Sequence, residues 1–405
     1  MRSLAVFLVA VLFLASHAAA QQTADGANAR INAVEALLKQ RPEDATLHFF
    51  LARSRCGAGD VPAAIASLEN VARYGDGFLP TKDGFENCWN DAAFKQARAR
   101  MEARLPRLDY APTAFELEDR TLIPEGIAHD QASGAFFLGS TAKGTITEVG
   151  FGNALSEFSP RVEGLDGILG LAVDGPRRIL YAVATSALTD AGRKRRRNAV
   201  LAFDIDKHSL IRRVDIPDAV QLNDVAVAFG GRTFVSDSGS GAIYEIPRDS
   251  AAARVVVPAE RLRGSNGLAA SPDGKRLYVA HSTGLALVDP NTGDVKRVDN
   301  TTRETVAAID GLYEFQGDLV GVQNITNPGR VIVITLSRDG ASVTRVRTLL
   351  SHHHNALEEP TTGAVTDRGF YLLAATGIRH LDDNGTIDDP SSVPRPTVLR
   401  ILLPR

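Results

Sequence analysis

Ser265-Asn266-Gly267-Leu268-Ala269-Ala270-Ser271-Pro272-Asp273-Gly274-Lys275-Arg276-Leu277-Tyr278-Val279-Ala280 decides the fold. An oxygen-bearing residue precedes a glycine, a short apolar run follows, a polar turn interrupts it, and a second run of strand-forming residues returns. That pattern describes a hairpin with a chemical group at its entrance. Five more copies can be aligned with it. Glu125-Gly126-Ile127-Ala128 leads into Phe136-Phe137-Leu138, and Leu169-Gly170-Leu171-Ala172 into Ile179-Leu180-Tyr181. Asn223-Asp224-Val225-Ala226 leads into Thr233-Phe234-Val235, Asp310-Gly311-Leu312-Tyr313 into Leu319-Val320-Gly321, and Thr362-Gly363-Ala364-Val365 into Phe370-Tyr371-Leu372. The first residues stand at 125, 169, 223, 266, 310 and 362, a spacing of 43 to 54 residues. Short strands repeated at that period, with turn signals between them, predict an all-β six-bladed β-propeller with four strands per blade.

The propeller is expected over residues 109–405. Its ring should close by pairing a strand near Phe115-Glu116-Leu117 with a last strand at residues 397–403, which removes exposed sheet edges. The formal net charge of −3 gives no basic field, so nucleic acid is not an expected partner. Residues 1–20 read as a cleaved secretory signal: Arg2, an apolar stretch from Leu4 to Ala15, then Ala18-Ala19-Ala20 before Gln21. The stretch is shorter than the roughly 20 residues of a spanning helix. A periplasmic or secreted protein without stable membrane insertion is therefore expected.

Between residues 21 and 108 the apolar period becomes helical. Ile31, Val34, Leu37 and Leu38 mark one helix, residues 46–56 and 61–74 make a helical hairpin around Gly59-Asp60, and a further helix is expected over about 90–105. The hairpin resembles a tetratricopeptide repeat, with Ala64, Leu68 and Val71 at packing positions. One good copy makes a poor solenoid, so the segment reads either as a helical subdomain packed on the propeller or as a module for a protein partner. Cys56 and Cys88, the two cysteines, are either bridged or two buried thiols.

In a propeller the inner strands line the channel, and the residues that begin them form a ring at one mouth. Here the ring is Glu125, Leu169, Asn223, Asn266, Asp310 and Thr362. Any one Asn-Gly or Asp-Gly is by itself an ordinary turn dipeptide. Their shared place in the repeat changes the reading: two carboxylates and two carboxamides from four blades make a hard-oxygen set suited to Ca²⁺ or another divalent cation.

These residues also carry a resemblance. From about 115 to 405 the chain resembles the regucalcin and gluconolactonase (senescence-marker-protein-like) family of six-bladed propellers. The resemblance implies a metal held by Glu125, by Asn266 in Ser-Asn-Gly-Leu and by Asp310 in Asp-Gly, with Asn223 of Asn-Asp near both metal and substrate. It implies lactone hydrolysis, with Asp310 as base or nucleophile. The family's substrate-binding Arg, two residues before Asn-Asp, is Gln221 here, a departure that concerns sugar-acid lactones.

Three features remain. The run Arg193 to Arg197 reads as a solvated loop or as a gate for an anionic small-molecule substrate. His352-His353-His354 cannot all face one ion and reads as a surface loop or as the source of one pocket acid or base, and His281, after a second strand, is a candidate substrate contact. Two functions from different classes follow, a metal-dependent hydrolase of lactones or related esters and a non-catalytic propeller that binds a ligand or protein around a structural metal.

Overall fold

Each sequence copy forms the two innermost strands of one sheet, and six sheets follow one another round the axis. The computed structural model describes residues 24–186, 197–248, 250, 252–381, 386–387 and 389–404. The proposed leader at 1–20 and the basic residues 193–196 lie outside them. The inner strands are Pro124–His129, Gly167–Asp174, Leu222–Val227, Leu268–Ala270, Ile309–Phe315 and Gly363–Thr366. Five sheets have four strands, and blade five adds Asp299–Asn300, paired in parallel with Ser342–Leu350. The ring closes as expected: Thr113–Glu116 pairs antiparallel with Thr397–Ile401, placing Thr113 opposite Leu399 and Glu116 opposite Thr397.

Local chemistry sets the hairpins. In blade four Ser271 Oγ donates to Asp273 Oδ1 at 2.6 Å, the N–H of Gly274 donates to the Ser271 carbonyl at 2.8 Å, and Gly274 takes a φ of 66° that a side chain would resist. The core lies between blades rather than at the axis. Phe137 and Phe158 of blade one pack with Leu180, Leu201 and Phe203 of blade two, all at 2% exposure or less. Each such side chain contributes about 2–3 kcal/mol by leaving water.

Among the described residues, four α-helices precede the ring: α1 (Ala24–Leu38), α2 (Ala45–Gly57), α3 (Val61–Tyr74) and α4 (Ala92–Glu102). Aspartates cap three of them. Asp44 accepts the N–H of Thr46 at 3.0 Å, Asp60 that of Ala63 at 3.1 Å, and Asp91 that of Phe94 at 2.9 Å. The cysteines are bridged, Cys56 of α2 to Cys88. No helix among the described residues is long and apolar enough to cross a membrane.

The helices sit on one mouth of the propeller. Residues 75–79, between α3 and α4, run beside the loops that enter and return over blade five. The N–H of Asp76 donates to the Arg303 carbonyl at 2.8 Å, that of Thr305 to the Asp76 carbonyl at 3.0 Å, and that of Leu79 to the Thr326 carbonyl at 2.8 Å. Arg330, 2% exposed, lies beneath the seam and donates to Gln323 Oε1 at 2.7 Å, Glu304 Oε2 at 2.8 Å and the Thr305 carbonyl at 2.9 Å. Ala308 and Ile325 of the propeller join the core formed by Phe49, Phe78, Phe85 and Phe94. Helices and ring thus share apolar packing two residues before Asp310.

Candidate functional site

The ring residues stand at irregularities of the inner strands. The pairing of inner to second strand shifts register between Pro124 and Gly126, Ile168 and Leu171, Leu222 and Val225, and Ile309 and Leu312. Glu125, Leu169, Asn223 and Asp310 fall within these four shifts. In blades four and six the strands begin just after Asn266-Gly267 and at Gly363. A bulge re-aims side chains and ends regular pairing, so the chain breaks its ladder at one level all round the axis.

The glycines beside these residues are not turn glycines. A Cβ on Gly267 would stand 2.4 Å from the N of Leu312 and 2.5 Å from the carbonyl oxygen of Asp310, and one on Gly126 would stand 1.9 Å from the Leu169 carbonyl oxygen. Neither has positive φ. At both positions glycine is needed because adjacent inner strands touch backbone to backbone at the axis, and not for a turn.

At the centre is Asp310, 8% exposed. Asn266 Nδ2 donates to its Oδ1 at 2.7 Å and Asn324 Nδ2 to its Oδ2 at 2.6 Å, so each carboxylate oxygen is held by a carboxamide. Asn324 also donates to the Pro360 carbonyl at 3.0 Å, and its own Oδ1 is buried with no partner among the described residues. Burial pushes the Asp310 carboxyl up to about 7, the hydrogen bonds from Asn324 and Asn266 oppose this, and the charge of Glu359 adds to it. Asp224 is likewise pushed up to about 7 by burial, with the Asp310 charge adding to it. Its Oδ2 accepts the N–H of Leu268 at 3.0 Å, tying blade three to blade four. Tyr313 reaches across to blade six, where its oxygen accepts the N–H of Gly363 at 2.8 Å, and burial holds its hydroxyl well above the usual range.

The other expected residues are spread round the ring. The Glu125 carbonyl accepts hydroxyls of Thr361 (2.9 Å) and Thr362, joining blade one to blade six. Asn223 is half-buried beside Asp224 on the inner strand of blade three. The backbone of Gln221 is pinned by Asp237, whose Oδ1 accepts its N–H at 2.9 Å. His281 ends the second strand of blade four and accepts the N–H of Thr283 at Nδ1, 3.3 Å away. Burial, then the charges of Arg297 and Arg41, push it down to about 4, so it is neutral at physiological pH. Of the histidine run, His352 meets Glu102 of α4 and His354 Nε2 meets the Ala111 carbonyl at 3.0 Å.

Asp224, Tyr313 and Asn324 were not among the expected site residues. Asn324 had a signal: the ends of the second strands carry buried polar residues at one place in the repeat, Ser140, Ser186, Asp237, Ser282, Gln323 and Thr376, all at 4% exposure or less. This forms a second polar ring, and Asn324 directly follows its member in blade five.

The donor set fits a hard cation. A half-turn of the Asn266 carboxamide replaces N–H by oxygen toward Asp310, and Asn324 Oδ1 is an oxygen already lacking a partner. Without a cation, the same groups hold a carboxyl poised to gain or lose a proton near neutral pH.

No family model matches the chain, and no curated protein matches it. Solved structures do. The PQQ-bound aldose sugar dehydrogenase of Streptomyces coelicolor is 17% identical over 74% of this chain and 99% of its own, with a TM-score of 0.51. A luciferin-regenerating enzyme is 17% identical over 72% of this chain and 95% of its own, at 0.50. A gluconolactonase of Xanthomonas campestris is 16% identical over 74% and 91%, at 0.48. At such identities the likeness is one of fold, a propeller shared by enzymes of several chemistries.

Proposed function

We propose that the protein is a hydrolase of lactones or related esters, dependent on Ca²⁺ or another divalent cation held by Glu125, Asn223, Asn266 and Asp310. The observation that carries this reading is Asp310, buried between two carboxamides beside an unpartnered Asn324 oxygen. When bound, a cation supplies polarisation of the substrate carbonyl and charge stabilisation for the oxyanion.

This chain's own residues do the rest. Asn266 and Asn324 fix the plane of the Asp310 carboxylate, which accepts a proton from water at an oxygen released by one of them. Asn223, in the inner strand of blade three, and Gln221, just before that strand, position the substrate, and His281 offers a neutral imidazole from blade four. The helices packed on blade five restrict water on one side. The Cys56–Cys88 bridge supports an oxidising compartment, periplasmic or extracellular.

The test is a panel of lactones and esters with purified protein, with and without chelator. Wild type should hydrolyse at least one and lose the activity to chelator. Asp310→Asn should lower turnover at saturating Ca²⁺ by about 10² or more. Glu125→Gln should recover when Ca²⁺ is raised. A wild type that turns over nothing, or an Asp310→Asn variant as fast as wild type, overturns the reading.

A second reading, a ligand-binding propeller without catalysis, draws on a cleft of about 390 Å³ between the helices and blades four and five. Arg41, Tyr74, Phe78, Arg297 and Glu304 line it. The whole lining balances Arg41, Arg297 and Arg303 against Glu43, Asp44 and Glu304 beside two aromatic rings, which suits a small polar ligand, and binding that survives Asp310→Asn would favour this reading.

A further inference from the structure

The histidine run resolves into two different jobs. His354 uses both ring nitrogens on backbone, Nε2 with the Ala111 carbonyl at 3.0 Å and Nδ1 with the N–H of Ala356 at 3.2 Å. His352 and His353 turn elsewhere. Their rings lie 4.0 Å apart between centroids, and Nε2 of His352 is 3.1 Å from Oε1 of Glu102 on α4. One ligand atom from each of Glu102, His352 and His353 falls within 4.8 Å of the others.

We propose that Glu102, His352 and His353 bind a borderline divalent transition ion, Zn²⁺ above all, which staples α4 to the loop entering blade six. Two imidazoles and one carboxylate are a donor set for zinc, whereas Ca²⁺ wants oxygens alone. Bonds of about 2.0–2.1 Å in a tetrahedron hold ligand atoms about 3.3 Å apart. The Glu102–His352 pair already stands near that separation, and the third ligand closes by a side-chain rotation.

The surroundings hold the ligands as a metal site does. Arg98 donates to Glu102 Oε2 at 2.8 Å, leaving Oε1 to face the imidazole. Ser351 Oγ lies 3.0 Å from Nδ1 of His353 and is itself fastened to the backbone of Leu108, which leaves the Nε2 of His353 without a partner among the described residues. A plain Glu102–His352 hydrogen bond accounts for less of this, because it involves only two of the three groups and leaves the placement of the His353 ring beside them without a role. Three protein ligands also leave a position for water or an incoming anion. This site does not rest on the lactonase reading and shares no residue with it.

The full-length protein, stripped with chelator and dialysed, would be titrated with ZnCl₂ by calorimetry and with CoCl₂ by visible absorption. Wild type should take up one Zn²⁺ per chain, give the intense visible bands of four-coordinate Co²⁺, and keep both in excess Ca²⁺. Glu102→Gln and His353→Ala should each weaken Zn²⁺ binding by at least about tenfold and lose the bands, while His354→Ala and Asp310→Asn should keep them. Zn²⁺ should raise the melting temperature of wild type and not of Glu102→Gln. The proposal is overturned if wild type binds no Zn²⁺, or if Glu102→Gln and His353→Ala both bind it with wild-type stoichiometry and affinity.

Discussion

Asp310 and Asp224 illustrate what a single residue's surroundings do. Free aspartates ionise near 3.9, and both of these, buried at the axis, are pushed up to about 7. The folded, cation-free protein therefore holds protons that the unfolded chain has released between about pH 4 and 7. Their contribution to stability is fully present below pH 4 and is lost as pH rises through 7. In chelator, the melting temperature of wild type relative to Asp310→Asn should fall between pH 5 and 8, and Ca²⁺ should restore it at the upper end. A difference between the two proteins that stays constant over that range would mean that Asp310 carries no such proton. Asp310 and Asn266 were legible because each opens a copy of the repeat. Tyr313 was not, since its place three residues after Asp310 in an inner strand reads as ordinary core, and only the fold brings its oxygen to Gly363 of the next blade.

The inner strand is the element on which the site is built. Its bulge aims the polar residue, and its glycine lets the neighbouring strand approach. Gly267→Ala would set a methyl 2.4–2.7 Å from Leu312 and Asp310 atoms, most of them backbone that cannot rotate away. The variant should lose about 2 kcal/mol or more in denaturant unfolding, and it should shift Asp310, so cation binding should weaken with it. Wild-type stability would show that the strands at the axis are looser than their spacing indicates. The glycine's presence was plain in the sequence, whereas its reason was not: an Asn-Gly pair looks the same whether the glycine serves φ or a neighbour. The helices were more legible, because period, caps and breaks are local. Residues 90–105 were expected as helix and Ala92–Glu102 is helix, its start fixed by the Asp91 cap.

At the scale of the molecule, the helical segment and the ring share a core through Ala308 and Ile325. The Cys56–Cys88 bridge, closing a separation of 32 residues, holds the helical side of that core. Loop-closure entropy assigns such a bridge about 3–4 kcal/mol. The double variant Cys56→Ala, Cys88→Ala should lose stability on that scale in denaturant unfolding. Proteolysis should then begin in residues 301–308, which rest on the helices. Equal protease resistance with and without the bridge would show that the helices dock independently of it. Packing of the helices on the propeller is one of the two readings that the sequence allows, whereas the loops they cover are not legible in it, since no local pattern marks them.

Ring closure bears on how the molecule is made. Thr397–Ile401 is the strand through which Thr113–Glu116 joins blade six, and it leaves the ribosome after every other strand in the ring. Until then the ring is an open horseshoe with a raw sheet edge at each end, which is a template for pairing with another unfinished copy. The hazard lasts until those five residues have been made, and it ends with them.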